Sequence, residues 1–112
     1  RIIDVFPTEN KSQIRSMLSE SLVAVIAQKL LKTKNGKGRV AASEIMIANT
    51  AVRNLIRENK IYQIPSLIQG GSKEGMQTLD MDLQRLLSQG LIDRADAIQV
   101  ADNAEIFEKG IF

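Results

Sequence analysis

Two apolar segments on either side of an Asn-Gly pair most constrain what this chain can fold into. Residues 22–31 are densely apolar and contain several β-branched side chains, which favour a strand. Residues 32–38 carry Asn35-Gly36, a turn signal, among lysines, and residues 39–47 are again apolar. This order predicts a β-hairpin. Because polar and apolar residues alternate imperfectly, a continuous helix through the first arm is the alternative.

The residues before the hairpin have helical spacing. Residues 2–6 fit the last turns of a helix, which Pro7 ends because the residue before a proline is pushed out of the α region. Asn10 with Gln13 resembles a capping box that opens a helix through about Ser21. The predicted buried face of that helix is Ile14, Met17, Leu18 and Leu22.

After residue 47 the pattern predicts short helices joined by glycine and proline. Thr50 is the predicted N-cap of a helix through about Asn59, and Pro65 suits the first turn of the next. Thr78 is predicted to cap a leucine-rich helix through Gln89. The candidate caps of two last helices are Asp93 and Asn103. The predicted fold class is therefore α+β, mostly helical, with one hairpin followed by a small helical subdomain.

Composition excludes several kinds of chemistry. The 112 residues include no cysteine and no histidine, so disulfides, thiolates and histidine-based catalysis or metal binding are absent from this stretch. A net charge of +2 is too small to imply a polyanionic partner by itself.

No apolar run is long enough to span a bilayer, which predicts a cytoplasmic location. The chain starts without Met inside an apolar pattern, so we expect a fragment of a longer protein.

The candidate phosphate and metal sites are weak. Residues 36–38 and 70–75 combine glycine with lysine, but neither has the Gly-Lys-Ser/Thr order of a P-loop. Asp80, Asp82, Asp93 and Asp96 are explained by capping and by the helix dipole. Glu44 is predicted either to face solvent or to pair with a nearby arginine. We therefore predict no catalytic, cofactor-binding or metal-binding residue within the chain.

The helix predicted at residues 50–60 has an unusual distribution of charge. Val52, Leu55 and Ile56 form an apolar seam, whereas Arg53, Arg57 and Lys60 fall at i, i+4 and i+7 on another face. Stacked arginines gain nothing from each other, which suggests a partner from elsewhere. The alternatives are an ordinary solvated basic face and a surface that binds nucleic acid.

The sequence of this helix resembles a known motif. Residues 51–58, AVRNLIRE, closely resemble the AIRNLIRE motif of the type IV pilus retraction ATPases, the PilT family, and only Val52 departs from it. RIIDVFP at the start, GRVAASEIM at 38–46 and GMQT at 75–78 resemble that family in the same order. The residues of the two principal motifs are Ala51, Val52, Arg53, Asn54, Leu55, Ile56, Arg57 and Glu58 in the first, and Gly75, Met76, Gln77 and Thr78 in the second.

The resemblance implies the C-terminal part of a RecA-like ATPase domain of the secretion ATPase superfamily. Residues 1–48 would be the edge of the RecA-like core and residues 49–112 a helical C-terminal subdomain. Members of the family form homo-hexamers that use ATP and Mg to drive pilus retraction, and their nucleotide-binding motifs would lie upstream of Arg1. The fragment itself would hold no cofactor and would not be catalytic alone.

The resemblance also implies partners and a location. The protein would act with a pilus platform protein at the cytoplasmic face of the inner membrane, without inserting into the bilayer or binding nucleic acid. Arg53 and Arg57 would exchange acidic or carbonyl partners and so couple nucleotide state to movement. The alternatives are a pilus-assembly or type II secretion ATPase fragment, a helical nucleic-acid-binding module, and an assembly domain without a ligand.

Overall fold

The predicted hairpin is present. The computed structural model describes residues 2–108, in which β1 (Ala24–Lys32) and β2 (Arg39–Ile47) form a two-stranded antiparallel sheet. The turn closes through a hydrogen bond of 3.0 Å from the Thr33 amide to the Gly38 carbonyl. Gly36 has φ +73°, a conformation that glycine adopts without strain. The alternative, a helix through the first arm, is wrong.

Besides the hairpin, residues 2–108 contain six α-helices and three short 3-10 turns. The 3-10 turns are Ile3–Val5, Ile61–Gln63 and Ser72–Glu74. The helices are α1 (Thr8–Ser21), α2 (Thr50–Arg57), α3 (Ile64–Gln69), α4 (Leu79–Ser88), α5 (Arg94–Val100) and α6 (Glu105–Glu108). The predicted α+β, mostly helical class is confirmed.

Three predictions near the first helix are corrected. Residues 3–5 form a 3-10 turn and not an α-helical end. Helix α1 begins at Thr8, before the predicted capping box at Asn10, because Pro7 is itself the N-cap and its carbonyl accepts from the Asn10 amide at 2.9 Å. Met17 is 56% exposed, whereas Ser19 is fully buried. Of the predicted buried face, Ile14, Leu18 and Leu22 are half-buried, whereas Met17 is replaced on that face by Ser19.

The chain divides into two compact units, and the first contains residues 2–25 and 46–76. Its core is a cluster of aliphatic and methionine side chains from β2, α2, α3 and the segment before α4. The buried members are Met46, Val52, Ile56, Ile64, Ile68 and Met76. Leu18 and Leu22, two residues of the predicted apolar face, pack against this cluster.

The second unit contains residues 26–45 and 77–108. Thr78 caps α4 as predicted, since its hydroxyl accepts from the Met81 amide at 3.1 Å. The leucine stripe of α4 enters a core whose buried members are Leu31, Ala42, Leu79, Leu83, Leu86, Ile92, Ala97 and Phe107. The predicted boundary at residue 48 concerns the RecA-like core of a longer protein and stays a prediction.

Two acidic residues of α4 do more than complement the helix dipole. Asp82 is 3% exposed and accepts from the Ser43 amide and from Arg85 Nε, both at 2.7 Å. Asp80 accepts from the amides of Asp102 and Asn103, both at 2.9 Å. Capping and the helix dipole therefore do not fully explain these two residues, because both also hold α4 to other segments of its unit.

The last two helices begin close to the predicted caps. Asp93 occupies the N-cap position of α5, although its side chain makes no capping hydrogen bond. Helix α6 begins at Glu105, so Asn103 lies two residues before it. Among residues 2–108, no helix is both long enough and apolar enough to cross a bilayer.

Candidate coupling site on helix α2

The N-cap of helix α2 lies one residue before the predicted cap. Asn49 has extended backbone (φ −80°, ψ 179°), and its Oδ1 accepts from the Val52 amide at 2.9 Å. Thr50 is already helical, so the prediction of Thr50 as N-cap is wrong. Both residue types are good caps, and the backbone conformation at Asn49 decides between them.

Helix α2 ends before Lys60, which removes Lys60 from the predicted basic face. Asn59 has φ +59°, a left-handed conformation that ends the helix, and the Lys60 amide turns back to the Leu55 carbonyl at 2.8 Å. Lys60 therefore does not share the helical face of Arg53 and Arg57, as the i, i+4, i+7 spacing predicted. It pairs with Glu58 at 3.7 Å, where both side chains are about half exposed. Such a pair stabilises a protein by about 1 kcal/mol or less.

The apolar side of α2 anchors the helix in the first unit. Val52 is fully buried and Ile56 is 4% exposed, and Leu55 packs beside them. Burying side chains of this size contributes about 1.5–3 kcal/mol each. The apolar seam predicted from the spacing is therefore present.

Arg53 has its partner on α1. Its Nη1 donates to the carbonyl oxygens of Ser19 at 2.7 Å and Glu20 at 3.2 Å. These carbonyls belong to the last turn of α1, where backbone oxygens lack partners within the helix and the dipole favours a cation. The guanidinium thus closes the end of α1, a contact between residues 34 positions apart.

Arg57 differs from Arg53 in having a local partner. Its Nη1 donates to Asn54 Oδ1 at 3.0 Å within the same helix. Asn54, Arg57 and Glu58 are all exposed. We call these three residues the polar edge of α2. One arginine of the motif therefore binds inside the unit, and the other lies on its surface.

The second motif, residues 75–78, lies between the 3-10 turn Ser72–Glu74 and helix α4. Gly75 has φ +91° after the turn Ser72–Glu74, and Met76 is 2% exposed within the first core cluster. Gln77 pairs with Ile45 through two backbone hydrogen bonds of 2.9 and 3.1 Å, and its Nε2 donates to the Ser43 carbonyl at 2.7 Å. Thr78 caps α4.

A hydrogen bond joins the start of α2 to the segment before the second motif. Asn49 Nδ2 donates to Glu74 Oε2 at 2.8 Å, while Asn49 Oδ1 caps the helix. Sequence reasoning missed both residues. The signal for Asn49 was present in the adjacent Asn49-Thr50 pair, whereas nothing local pointed to Glu74.

The two glycine–lysine loops do not fit the phosphates of a nucleotide. Residues 36–38 lie in the turn between two strands, and residues 72–74 form a single 3-10 turn. A phosphate loop instead leads from a strand into a helix whose amides point at the anion. Within residues 2–108, no group of three acidic, histidine or cysteine side chains is placed to hold a metal ion.

Glu44 lies half-buried on β2. It forms no ion pair with an arginine of the described chain, whose two ion pairs are Lys60–Glu58 and Arg85–Asp82. Of the two predicted roles for Glu44, pairing with a nearby arginine is therefore not seen in residues 2–108.

Comparison with known proteins gives close relatives, although no family model matches the chain. A twitching motility protein of Neisseria gonorrhoeae is 62% identical over 105 residues, which are 94% of this chain and 28% of that protein. The type IV pilus retraction ATPase PilT of Pseudomonas aeruginosa is 57% identical over 107 residues, 96% of this chain and 31% of that protein.

A solved structure of a pilus retraction motor also matches the chain. The crystal structure of the pilus retraction motor PilT with bound ADP matches with a TM-score of 0.82 and 43% identity, over 97% of this chain and 30% of that one. The chain thus spans less than a third of the length of the proteins it matches. The resemblance to the retraction ATPases, and to a C-terminal segment of them, is confirmed.

Proposed function

Because the chain matches a C-terminal segment of the type IV pilus retraction ATPases, the PilT family, we propose that the full-length protein is a hexameric motor that hydrolyses ATP to retract type IV pili. It works at the cytoplasmic face of the inner membrane on a pilus platform protein. The main support is identity of 57–62% to two curated relatives over nearly the whole chain. The names of these relatives point to twitching motility and pilus retraction.

In this proposal, residues outside the chain bind ATP and Mg. The two glycine–lysine loops lack both the order and the local geometry of a phosphate site. The chain contributes to the motor by transmitting movement.

Helix α2 is the element that transmits movement. Its apolar side and Arg53 hold it in the first unit, so that α1 and α2 move together. The polar edge of Asn54, Arg57 and Glu58 is exposed and carries both signs of charge. A neighbouring domain or subunit that binds this edge in one nucleotide state only would bias the position of the helix, as a switch requires.

Substitution of Arg57 in the full-length protein tests this role. The described hydrogen bond of Arg57 lies within α2, so Arg57→Ala should leave the fold intact. We expect the retraction rate per ATP hydrolysed to fall by about tenfold, the effect of losing about 1.4 kcal/mol from a contact in the motor cycle. ATP turnover, pilus retraction and hexamer assembly would be measured on the same preparations.

Arg94→Ala is the matched control, since Arg94 is an exposed arginine on α5 outside both motifs. It should leave retraction per ATP unchanged. If Arg57→Ala also retains normal assembly, turnover and retraction, the coupling role is wrong. If deletion of the whole protein from cells abolishes pilus extension and leaves retraction intact, the protein is an assembly ATPase instead.

A further inference from the structure

The turn of the hairpin carries a concentrated positive charge that the motor proposal does not use. We define the hairpin tip as residues 29–39. No acidic residue occurs in residues 21–43, although the whole chain has a net charge of only +2. The five cations of the tip are all exposed and are Lys29, Lys32, Lys34, Lys37 and Arg39.

The charges of the tip are not neutralised within the described chain. Lys29 Nζ donates to the Val100 carbonyl at 3.3 Å, which leaves its charge without a carboxylate. The two ion pairs found in residues 2–108 lie elsewhere, at Lys60–Glu58 and Arg85–Asp82. The tip therefore presents a positive surface to whatever approaches it.

The backbone beneath these lysines is ordered by its own hydrogen bonds. Asn35 Oδ1 accepts from Thr33 Oγ1 at 2.7 Å and from the Lys37 amide at 2.9 Å. The Gly38 amide donates to Thr33 Oγ1 at 3.1 Å. The Lys34 amide donates to the Leu91 carbonyl at 2.8 Å, which joins the tip to the segment after α4. A fixed loop thus displays long and mobile ammonium groups.

The residue types at the tip select among anionic partners. Residues 24–47 contain no aromatic side chain, so the tip offers no aromatic ring for stacking on bases and none of the aromatic anchors common in protein interfaces. Four of its five cations are lysines, which act as point charges and lack the bidentate fork of arginine. Lysines on flexible stems suit a surface whose negative charges are spread out and mobile.

A shallow cavity beside the tip adds an apolar component. It has a volume of about 300 Å³ and is lined by Thr33, Lys34, Asn35, Gly90 and Leu91. Leu91 is 38% exposed there. A cation beside exposed aliphatic surface is complementary to the membrane interface, where charged lipid headgroups border the acyl chains.

We propose that the hairpin tip binds the surface of a bilayer rich in anionic phospholipid. The inference rests on the proposed position of the motor at the inner membrane and assigns the contact with that membrane to these lysines. The attraction is mainly electrostatic and falls off within a Debye length, and Leu91 reaches only the boundary between headgroups and acyl chains.

Vesicle co-sedimentation of the full-length protein, without ATP, tests the proposal. We expect binding to vesicles containing about one third phosphatidylglycerol, weak binding to phosphatidylcholine vesicles, and a steep loss of binding as NaCl is raised. Each lysine near an anionic surface contributes about fivefold in affinity, so the triple variant Lys32→Gln, Lys34→Gln, Lys37→Gln should bind about a hundredfold more weakly.

The matched control removes the same charge elsewhere, through Lys11→Gln, Lys73→Gln and Arg94→Gln, and should bind nearly as well as the unchanged protein. Equal losses in the two triple variants would overturn the proposal, because they would indicate a response to net charge alone. So would an absence of binding to the phosphatidylglycerol vesicles, or tip-dependent binding to polyglutamate or duplex DNA in place of vesicles. None of these results bears on ATP turnover or retraction, so the motor proposal is tested separately.

Discussion

Arg53 Nη1 on α2 lies 2.7 Å from the carbonyl oxygen of Ser19 in the last turn of α1. Ser19 is fully buried, and Glu20 supplies a second carbonyl at 3.2 Å. A single guanidinium therefore satisfies two backbone oxygens that α1 itself leaves unpaired. This contact joins α2 to the C-terminal end of α1.

Arg53→Ala should therefore destabilise the first unit. Hydrogen bonds that involve a charged group contribute about 1.5–3 kcal/mol, and we expect a loss of that size in the free energy of unfolding. Arg57→Ala should change it by less than about 0.5 kcal/mol, because Arg57 is exposed and bonded within its own helix. Urea unfolding measures both, and hydrogen exchange at residues 16–22 locates the effect. Equal losses for the two arginines would contradict the assignment.

The dual role of Asn49 gives a second prediction. Asn49→Asp retains a side-chain oxygen that can cap α2. It replaces the amide group that donates to Glu74 at 2.8 Å, so that two carboxylates repel each other in place of that hydrogen bond. We expect a loss of about 0.5–1 kcal/mol, which Glu74→Gln in the same chain should largely restore. Thermal unfolding of the two single variants and the double variant completes the cycle. Additive effects would mean that the two side chains do not interact.

Much of the fold was predictable because the signals are local. The hairpin follows from Asn35-Gly36 between two apolar segments, and α4 from Thr78 followed by leucines at helical spacing. The end of α2 also had a local signal, since asparagine is one of the few residue types that tolerates the left-handed conformation seen at Asn59. The predicted helix through about Asn59 therefore runs past the observed end of α2 at Arg57.

The long-range contacts were not predictable from spacing. The partner of Arg53 lies 34 residues away and is a pair of backbone carbonyls, which every residue possesses. Asp82 looked like an ordinary residue of a first helical turn, yet it binds the amide of Ser43, 39 residues earlier. Only the packing of α4 against β2 within the second unit brings Asp82 to Ser43.

Gly75 gives a third prediction through its backbone. At φ +91° any Cβ is strained, so Gly75→Ala should cost about 1–2 kcal/mol even though no atom beyond the two neighbouring residues lies within 4 Å of the added carbon. Gly38→Ala is the control, since Gly38 has equally open surroundings and no positive φ. We expect that variant to stay within about 0.5 kcal/mol of the unchanged protein. The free energies of unfolding decide the matter, and similar losses would mean that backbone conformation is not the cause.

Asp82 allows the relative weight of its two contacts to be measured. Arg85 is 52% exposed in its side chain, so the ion pair with Asp82 contributes about 1 kcal/mol or less. The hydrogen bond from the Ser43 amide is more protected, and Asp82→Ala leaves that amide without its acceptor, at an expected total cost of about 2–3 kcal/mol. Arg85→Ala and Asp82→Asn should each cost about 1 kcal/mol or less, because an asparagine oxygen still accepts from Ser43. If Arg85→Ala destabilises the protein as much as Asp82→Ala in urea unfolding, the Ser43–Asp82 contact between β2 and α4 contributes little beyond the ion pair within α4.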